Sequence, residues 1–169
     1  AVVLDPGSGR LRWIGRDHPA AEALSRTWIN AIAQPSADEI WLSRFSEGIV
    51  VVDRDSGAVR HLLRHDPATA SGLAFDAVGV LYVDHSGLLW VGTWGGGLQR
   101  HNPRNLAIRL LRHSPTEPHR LSHASVLRIL ELQDGRLLAG STGNGIDIID
   151  RRRGVIGGYR PDPADPEAR

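Results

Sequence analysis

The stretch Asp84-His85-Ser86-Gly87-Leu88-Leu89-Trp90-Val91-Gly92-Thr93-Trp94-Gly95-Gly96-Gly97-Leu98 decides the fold. Ser86-Gly87 reads as a turn and Leu88 to Thr93 as a short strand. Gly95-Gly96-Gly97 supplies the positive φ of a tight hairpin, which returns the chain through Leu98-Gln99-Arg100-His101. Upstream, Gly79-Val80-Leu81-Tyr82-Val83 is a further β-branched, apolar strand, and Ile108 to Arg112 makes a fourth. No apolar period of 3.6 residues runs through the unit, which argues against helix. Leu88-Leu89-Trp90-Val91 is too apolar for a sheet with one wet face, so both faces must be covered.

Working outward, the unit recurs. Pro19, Pro67, Pro115 and Pro163 fall at equal intervals of 48 residues, and Leu62-Leu63-Arg64-His65-Asp66-Pro67 returns as Leu110-Leu111-Arg112-His113-Ser114-Pro115. Tyr159-Arg160-Pro161-Asp162-Pro163 is a looser copy, and Asp5 to Gly9 matches Asp53 to Gly57. In register the units are residues 1–24, a half unit, then 25–73, 74–121 and 122–169. The second unit predicts strands Trp28 to Ala33, Glu39 to Ser43, Ile49 to Asp53 and Val59 to Leu63. The fourth predicts Ser125 to Leu132, Arg136 to Ser141, Gly145 to Asp150 and Val155 to Tyr159, with turns at Asp134-Gly135 and Gly143-Asn144-Gly145. Four short antiparallel strands every 40 to 50 residues are what a β-propeller blade requires. The expected fold is therefore all-β: four-stranded antiparallel blades on a repeat of about 48 residues, forming an incomplete ring of about 3.5 blades. A sandwich is the weaker fit, because its strands occupy non-equivalent places.

Composition bounds the function. The chain has 169 residues, 41% hydrophobic and 23% charged, with mean hydropathy −0.23, a soluble globular balance. No run approaches the roughly 18 apolar residues of a spanning helix, so no membrane contact by this segment is expected. The 20 basic residues are all Arg and offset 19 acidic ones, without a cluster that would call for a nucleic-acid partner. Arg recruited for forked anion binding and a GC-rich genome both account for the missing Lys, and the scatter along the chain favours the genome. Zero cysteines exclude disulfides, thiolate metal sites and a Cys nucleophile. A length that suits one domain is, on this repeat, about half of one. The expectation is a piece of a longer chain, or a chain whose copies pair to close a ring.

Candidate chemistry is sparse. His61, His65, His101 and His113 sit near strand ends, and His65 and His113 are repeat-equivalent, with Asp17 at their place in the first unit. One copy per blade argues for a structural role. No recurring metal-ligand spacing and no Gly-x-Ser-x-Gly elbow occur, so no catalytic residue, metal or cofactor is expected. Gly92 to Gly97 lacks the Lys and the helix of a phosphate cradle. Trp41 and Trp90, with Leu138 at the same strand position, read as inter-blade core, and Gly48, Gly97 and Gly145 as hairpin glycines. Trp94 differs, because it lies in the hairpin loop where Phe45 and Thr142 are its counterparts. An aromatic ring on a loop suits either blade packing or stacking on a sugar. Arg44, Arg100, Thr142 and Asn144 are expected to add polar contacts there, which makes Trp94, Phe45, Arg44, Arg100, Thr142 and Asn144 the candidate ligand site.

The Asp84–Leu98 stretch, with its turn, Leu-Trp-Val-Gly-Thr strand and glycine hairpin, resembles the blade signature of the two-component regulator propeller family. Leu121-Ser122-His123-Ala124-Ser125-Val126 is similar to that family's blade opening, and Asp38 to Ile49 and Leu137 to Ile146 are further copies. The resemblance implies a periplasmic or extracytoplasmic sensor ectodomain of a membrane-anchored histidine kinase, hybrid regulator or diguanylate cyclase, with a carbohydrate as the expected ligand. It implies no enzyme activity in this segment. A dimerisation scaffold without small ligand is the alternative, and a polysaccharide lyase is third, disfavoured by the lack of a paired acid and base. An uncovered blade face would favour self-association.

Overall fold

The computed structural model describes residues 2–15, 18, 27–68, 72–102 and 108–161. Asp17, Pro19 and Pro163 lie outside the described residues. Fourteen strands run in order: β1 Val2–Leu4, β2 Leu11–Trp13, β3 Ile29–Ala33, β4 Glu39–Arg44, β5 Gly48–Asp53, β6 Val59–Leu63, β7 Val78–Val83, β8 Leu89–Thr93, β9 Leu98–His101, β10 Ile108–Leu111, β11 Val126–Glu131, β12 Leu137–Ser141, β13 Ile146–Asp150 and β14 Gly154–Tyr159. They form three four-stranded antiparallel meanders, β3–β6, β7–β10 and β11–β14, preceded by the two-stranded β1–β2. These are propeller blades in an incomplete ring. By the repeat, β1 and β2 match β5 and β6, the outer half of a blade.

The blades stack face to face because alternate residues of each strand point to opposite sides. Trp41, Ile49 and Val51 face Val78, Leu81, Leu89 and Val91 of the following blade. In turn Trp90 and Leu98 face Val126, Leu137, Ala139 and Ile149 of the last one. Leu42, Val50 and Val52 pack the other way, on Ile14 beside β2. Each side chain of this size stabilises the stack by about 1.5–3 kcal/mol through burial. Trp41 and Trp90 are thus inter-blade residues, 8% and 2% exposed. Leu138, at their position in the last blade, is only half-buried, and Leu130 and Tyr159 stand exposed in that sheet.

The repeat also fixes the backbone. The register slips by one residue between Ile29 and Ala31, between Val78 and Val80, and between Val126 and Arg128, the same place on the first strand of each blade. A bulge there adds twist to every sheet alike. Gly48, Gly97 and Gly145 have φ of 76°, 84° and 77°. A Cβ on them would sit 2.1 Å from Leu63 O, 2.4 Å from Leu111 O and 2.1 Å from Tyr159 O respectively, so the outermost strand closes only over a glycine.

Candidate functional site

Two regions hold the expected ligand residues. At one end of the blades the second strand turns into the third, at Phe45-Ser46-Glu47, Trp94-Gly95-Gly96 and Thr142-Gly143-Asn144. The entry to each first strand lies against this turn: Phe45 N donates to Trp28 O at 3.0 Å, and Trp94 N to Ala77 O at 2.8 Å. Trp28, Phe45, Phe75 and Trp94 are all exposed at this end. Phe75 lies close to Gly95 and Gly96, and the Trp94 indole nitrogen lies against Gly79.

Not all the candidate residues join them. Arg44 is buried, and its guanidinium pairs with the Glu47 carboxylate at 2.8 Å and donates to Glu47 O at 3.3 Å within its own hairpin. It occupies the position of Thr93 and Ser141, whose hydroxyls donate to Gly97 O and Gly145 O at 2.9 and 3.1 Å. Arg44 is therefore a hairpin tie, not a free polar contact. Asn144 Nδ2 donates to Ser122 O at 2.8 Å, tying the entry to β11. Arg100 does not join the Trp94 turn, since it lies opposite Trp90 on the ladder.

Around Arg100 the chemistry is denser. Trp90, Arg100 and Arg109 are direct cross-strand neighbours on β8, β9 and β10. The Arg100 guanidinium lies 5.9 Å from the Trp90 ring centroid, a cation–π distance, and donates to Arg151 O at 2.8 Å. Burial lowers the Arg100 pKa, Arg109 lowers it further, Asp84 opposes this and Arg151 adds to it. A cleft of about 480 Å³ opens beside them, lined also by Glu117, His119, Arg120 and the turn from Asp150 to Gly154. His119 has φ of 62° and its Nδ1 meets Val155 O at 2.9 Å, which clamps the β10–β11 connection onto β14.

Beneath this lies a buried carboxylate. Asp84 accepts from Ser86 N at 2.9 Å, Ser86 Oγ at 2.6 Å, Leu88 N at 3.1 Å, Trp90 Nε1 at 2.8 Å and Arg151 Nε at 2.9 Å. Burial pushes its pKa up, but the bonds from Ser86, Trp90, Leu88 and Arg151 outweigh it and hold the group at about 2. Arg151 also pairs with Glu131, which accepts from Tyr82 Oη at 3.1 Å and His85 N at 3.0 Å. Burial raises the Glu131 pKa, and the His85 amide, Arg151, the His85 ring and Tyr82 bring it down to about 2. Asp84 thus links the turn, the tryptophan and the next blade.

Three histidines serve the frame. His65 and His113 place Nδ1 at 2.7 and 2.9 Å from Leu73 O and Leu121 O, the same bond in successive blades. His101 lies 5.4 Å from the Trp41 ring, where burial lowers its pKa against the pull of Glu39. Two buried polar residues were not foreseen. Gln99 binds Ala74 N at 2.7 Å and Gly72 O at 2.9 Å, and its equivalent Asp147 accepts from Ser122 N at 3.0 Å. Their shared offset of 48 residues was the available signal. Among the described residues no group of three or more His, Asp or Glu is placed to hold a metal.

Residues 72–95 match the family model described as "Two component regulator propeller". The match covers 24 of the 169 residues. The matched stretch runs from the entry of β7 through Asp84 and Trp90 to Trp94 and Gly95. The chain is also similar to the extracellular domain of the hybrid two-component system BT3049 of B. thetaiotaomicron. Identity there is 19%, with a TM-score of 0.67 over 95% of this chain and 19% of that one. The extracellular domain of BT4673, from the same organism and described as a one-component system, gives 18% identity and a TM-score of 0.63 over 94% of this chain and 21% of that one. The β-propeller domain of Cps50 (Swd1) from Myceliophteria thermophila gives 15% and 0.60, over 90% of this chain and 50% of that one. At these identities the likeness is one of fold. The chain spans about a fifth of the two extracellular domains. No curated protein matches it.

Proposed function

We propose that this chain is a non-catalytic segment of an extracytoplasmic sensory propeller, in a membrane-anchored two-component or diguanylate cyclase signalling protein, and that it contributes to binding a small ligand such as a carbohydrate. The observation that carries the reading is the two-component regulator propeller repeat at residues 72–95, whose turn, tryptophan and glycine hairpin form the joint between blades. Extracellular domains of similar fold point to the same compartment. Among the described residues no helix is long and apolar enough to cross a membrane.

A thermal-shift screen of neutral and acidic oligosaccharides tests it. A ligand at a hundredfold excess over its Kd stabilises the folded state by about 2.7 kcal/mol, a shift of several degrees. The reading fails if no saccharide raises the melting temperature, or if the protein cleaves one. A second reading, self-association, is favoured by Leu130 and Tyr159, 59% and 65% exposed on the last blade. Sedimentation with a monomer at high micromolar concentration would overturn that one.

A further inference from the structure

We propose that the cleft between the second and third complete blades, built on the Arg100–Arg109 ladder and the Arg151–Arg153 turn, binds a small molecule carrying two or more oxyanions: carboxylates, sulfates or phosphates. The proposal deepens the ligand-binding reading above and rests on it.

The first ground is charge. Six arginines line the cleft, Arg100, Arg109, Arg120, Arg151, Arg152 and Arg153, against two carboxylates, Glu117 and Asp150. Both carboxylates are already used. Glu117 pairs with Arg120 at 2.9 Å, and Asp150 accepts Arg152 N and Arg153 N at 2.8 Å each within its own turn. Arg151 is neutralised by Asp84 and Glu131. The guanidinium of Arg100 bonds only a carbonyl, and those of Arg109, Arg152 and Arg153 make no hydrogen bond or ion pair among the described residues. In a chain of net charge +1, four forks without an ion pair line one opening, with Asp84 and Asp150 offsetting only part of their charge. Planar guanidinium forks suit bidentate contacts with carboxylate, sulfate or phosphate.

The second ground is the repeat itself. The ladder that reads Trp90–Arg100–Arg109 reads Trp41–Val51–His61 in the blade before and Leu138–Ile148–Gly157 in the blade after. Blade stacking needs no arginine at either position. Two like charges directly opposite each other destabilise a sheet, so the pair opposes the fold where it stands. A bound anion removes that repulsion. The turn shows the same departure: Asp53-Arg54-Asp55-Ser56-Gly57 carries mixed charge, whereas Asp150-Arg151-Arg152-Arg153-Gly154 carries three arginines. Arg100, stacked on Trp90 and bonded to Arg151 O, is held ready, which lowers the entropy cost of binding. The volume of about 480 Å³ suits a small ligand.

Calorimetric titration of the protein with a galacturonate disaccharide, a disulfated disaccharide, pyrophosphate and neutral lactose tests the proposal and separates the oxyanion sources. At least one anionic probe should bind tenfold or more tighter than lactose, and raised salt should weaken it. The triple variant Arg109→Gln, Arg152→Gln, Arg153→Gln should lose that affinity tenfold or more with its melting temperature kept. A control triple, Arg10→Gln, Arg64→Gln, Arg128→Gln, removes equal charge elsewhere and should lose less than twofold. Equal losses in both triples would reduce the effect to diffuse attraction and overturn the proposal. Binding of lactose alone would overturn it while the ligand-binding reading survives, and binding of none of these or of the wider saccharide screen would sink both.

Discussion

The two inter-blade joints are built on one backbone and closed by different chemistry. Between the first and second complete blades, Trp41 packs into an apolar cluster and its indole reaches Glu39 at 3.3 Å. Between the second and third, Trp90 is bonded at 2.8 Å to a buried Asp84 that also holds Arg151 of the next blade, and two arginines take the ladder places of Val51 and His61. What is common to both joints is what stacking requires. What differs is available for another purpose, and the comparison can be broken or sharpened by substitution.

The largest effect is expected at the tryptophans. Trp90→Ala should cost about 3–5 kcal/mol by chemical denaturation, as large aromatic deletions in a core do. Trp41→Ala should cost less, because Trp41 is more exposed and its indole bond longer. Equal losses would deny the second joint its special status.

Next comes Asp84→Asn, which leaves Arg151 short of a buried charge partner and should cost about 2–4 kcal/mol at neutral pH. The sign with pH follows from the depressed pKa. Asp84 and Glu131 titrate at about 2 in the folded protein, against about 4 in an unfolded chain. Their contribution is complete above about pH 4 and lost as pH falls towards 2. Wild type and Asp84→Asn should therefore converge in stability over that window. A gap that persists at pH 2 would mean that Asp84 acts through packing, not charge.

The shared part has its own test. Gly48→Ala and Gly97→Ala should each cost about 2–3 kcal/mol, one at each joint, because both glycines have positive φ and face a strand carbonyl. Gly143→Ala, at φ 82° with nothing within 4 Å, should cost about 1 kcal/mol. Unequal values for Gly48 and Gly97 would show that the hairpins are not equivalent.

This division also explains what could be read in the sequence. Much of what recurs was legible: the strands, since Glu39–Ser43 was expected and Glu39–Arg44 is found, the hairpin glycines, and the tryptophan positions, though not the Gln99 and Asp147 pair or the first-strand bulge. What breaks the repeat was misplaced. Arg44 looked like a ligand contact because nothing in one dimension shows it standing in for the Thr93 hydroxyl in a hairpin. Arg100 lies near Trp94 in sequence, yet Val91, Gly92 and Thr93 of β8 separate Trp94 from the Trp90 that Arg100 faces. The arginine cleft joins residues 100, 109, 120 and 151–153, brought together by register and stacking, so the arginines looked scattered.

The smallest expected effect discriminates best. If the Arg100–Arg109 pair served the stack, removing one member would weaken the protein, whereas if it opposes the stack, removal should help. Arg109 is exposed and its guanidinium makes no ion pair or hydrogen bond among the described residues, so Arg109→Gln removes little besides charge. Relief of the cross-strand repulsion should raise stability by a few tenths of a kcal/mol at low salt. The gain should fade as ionic strength rises and the Debye length shrinks to about 3 Å at 1 M. The matching change at the first joint, His61→Gln, has no charged neighbour on its ladder to relieve and should be neutral at pH 8 whatever the salt. A salt-independent loss on Arg109→Gln would make the arginine part of the frame, and the second joint would then differ from the first only in how it is held together.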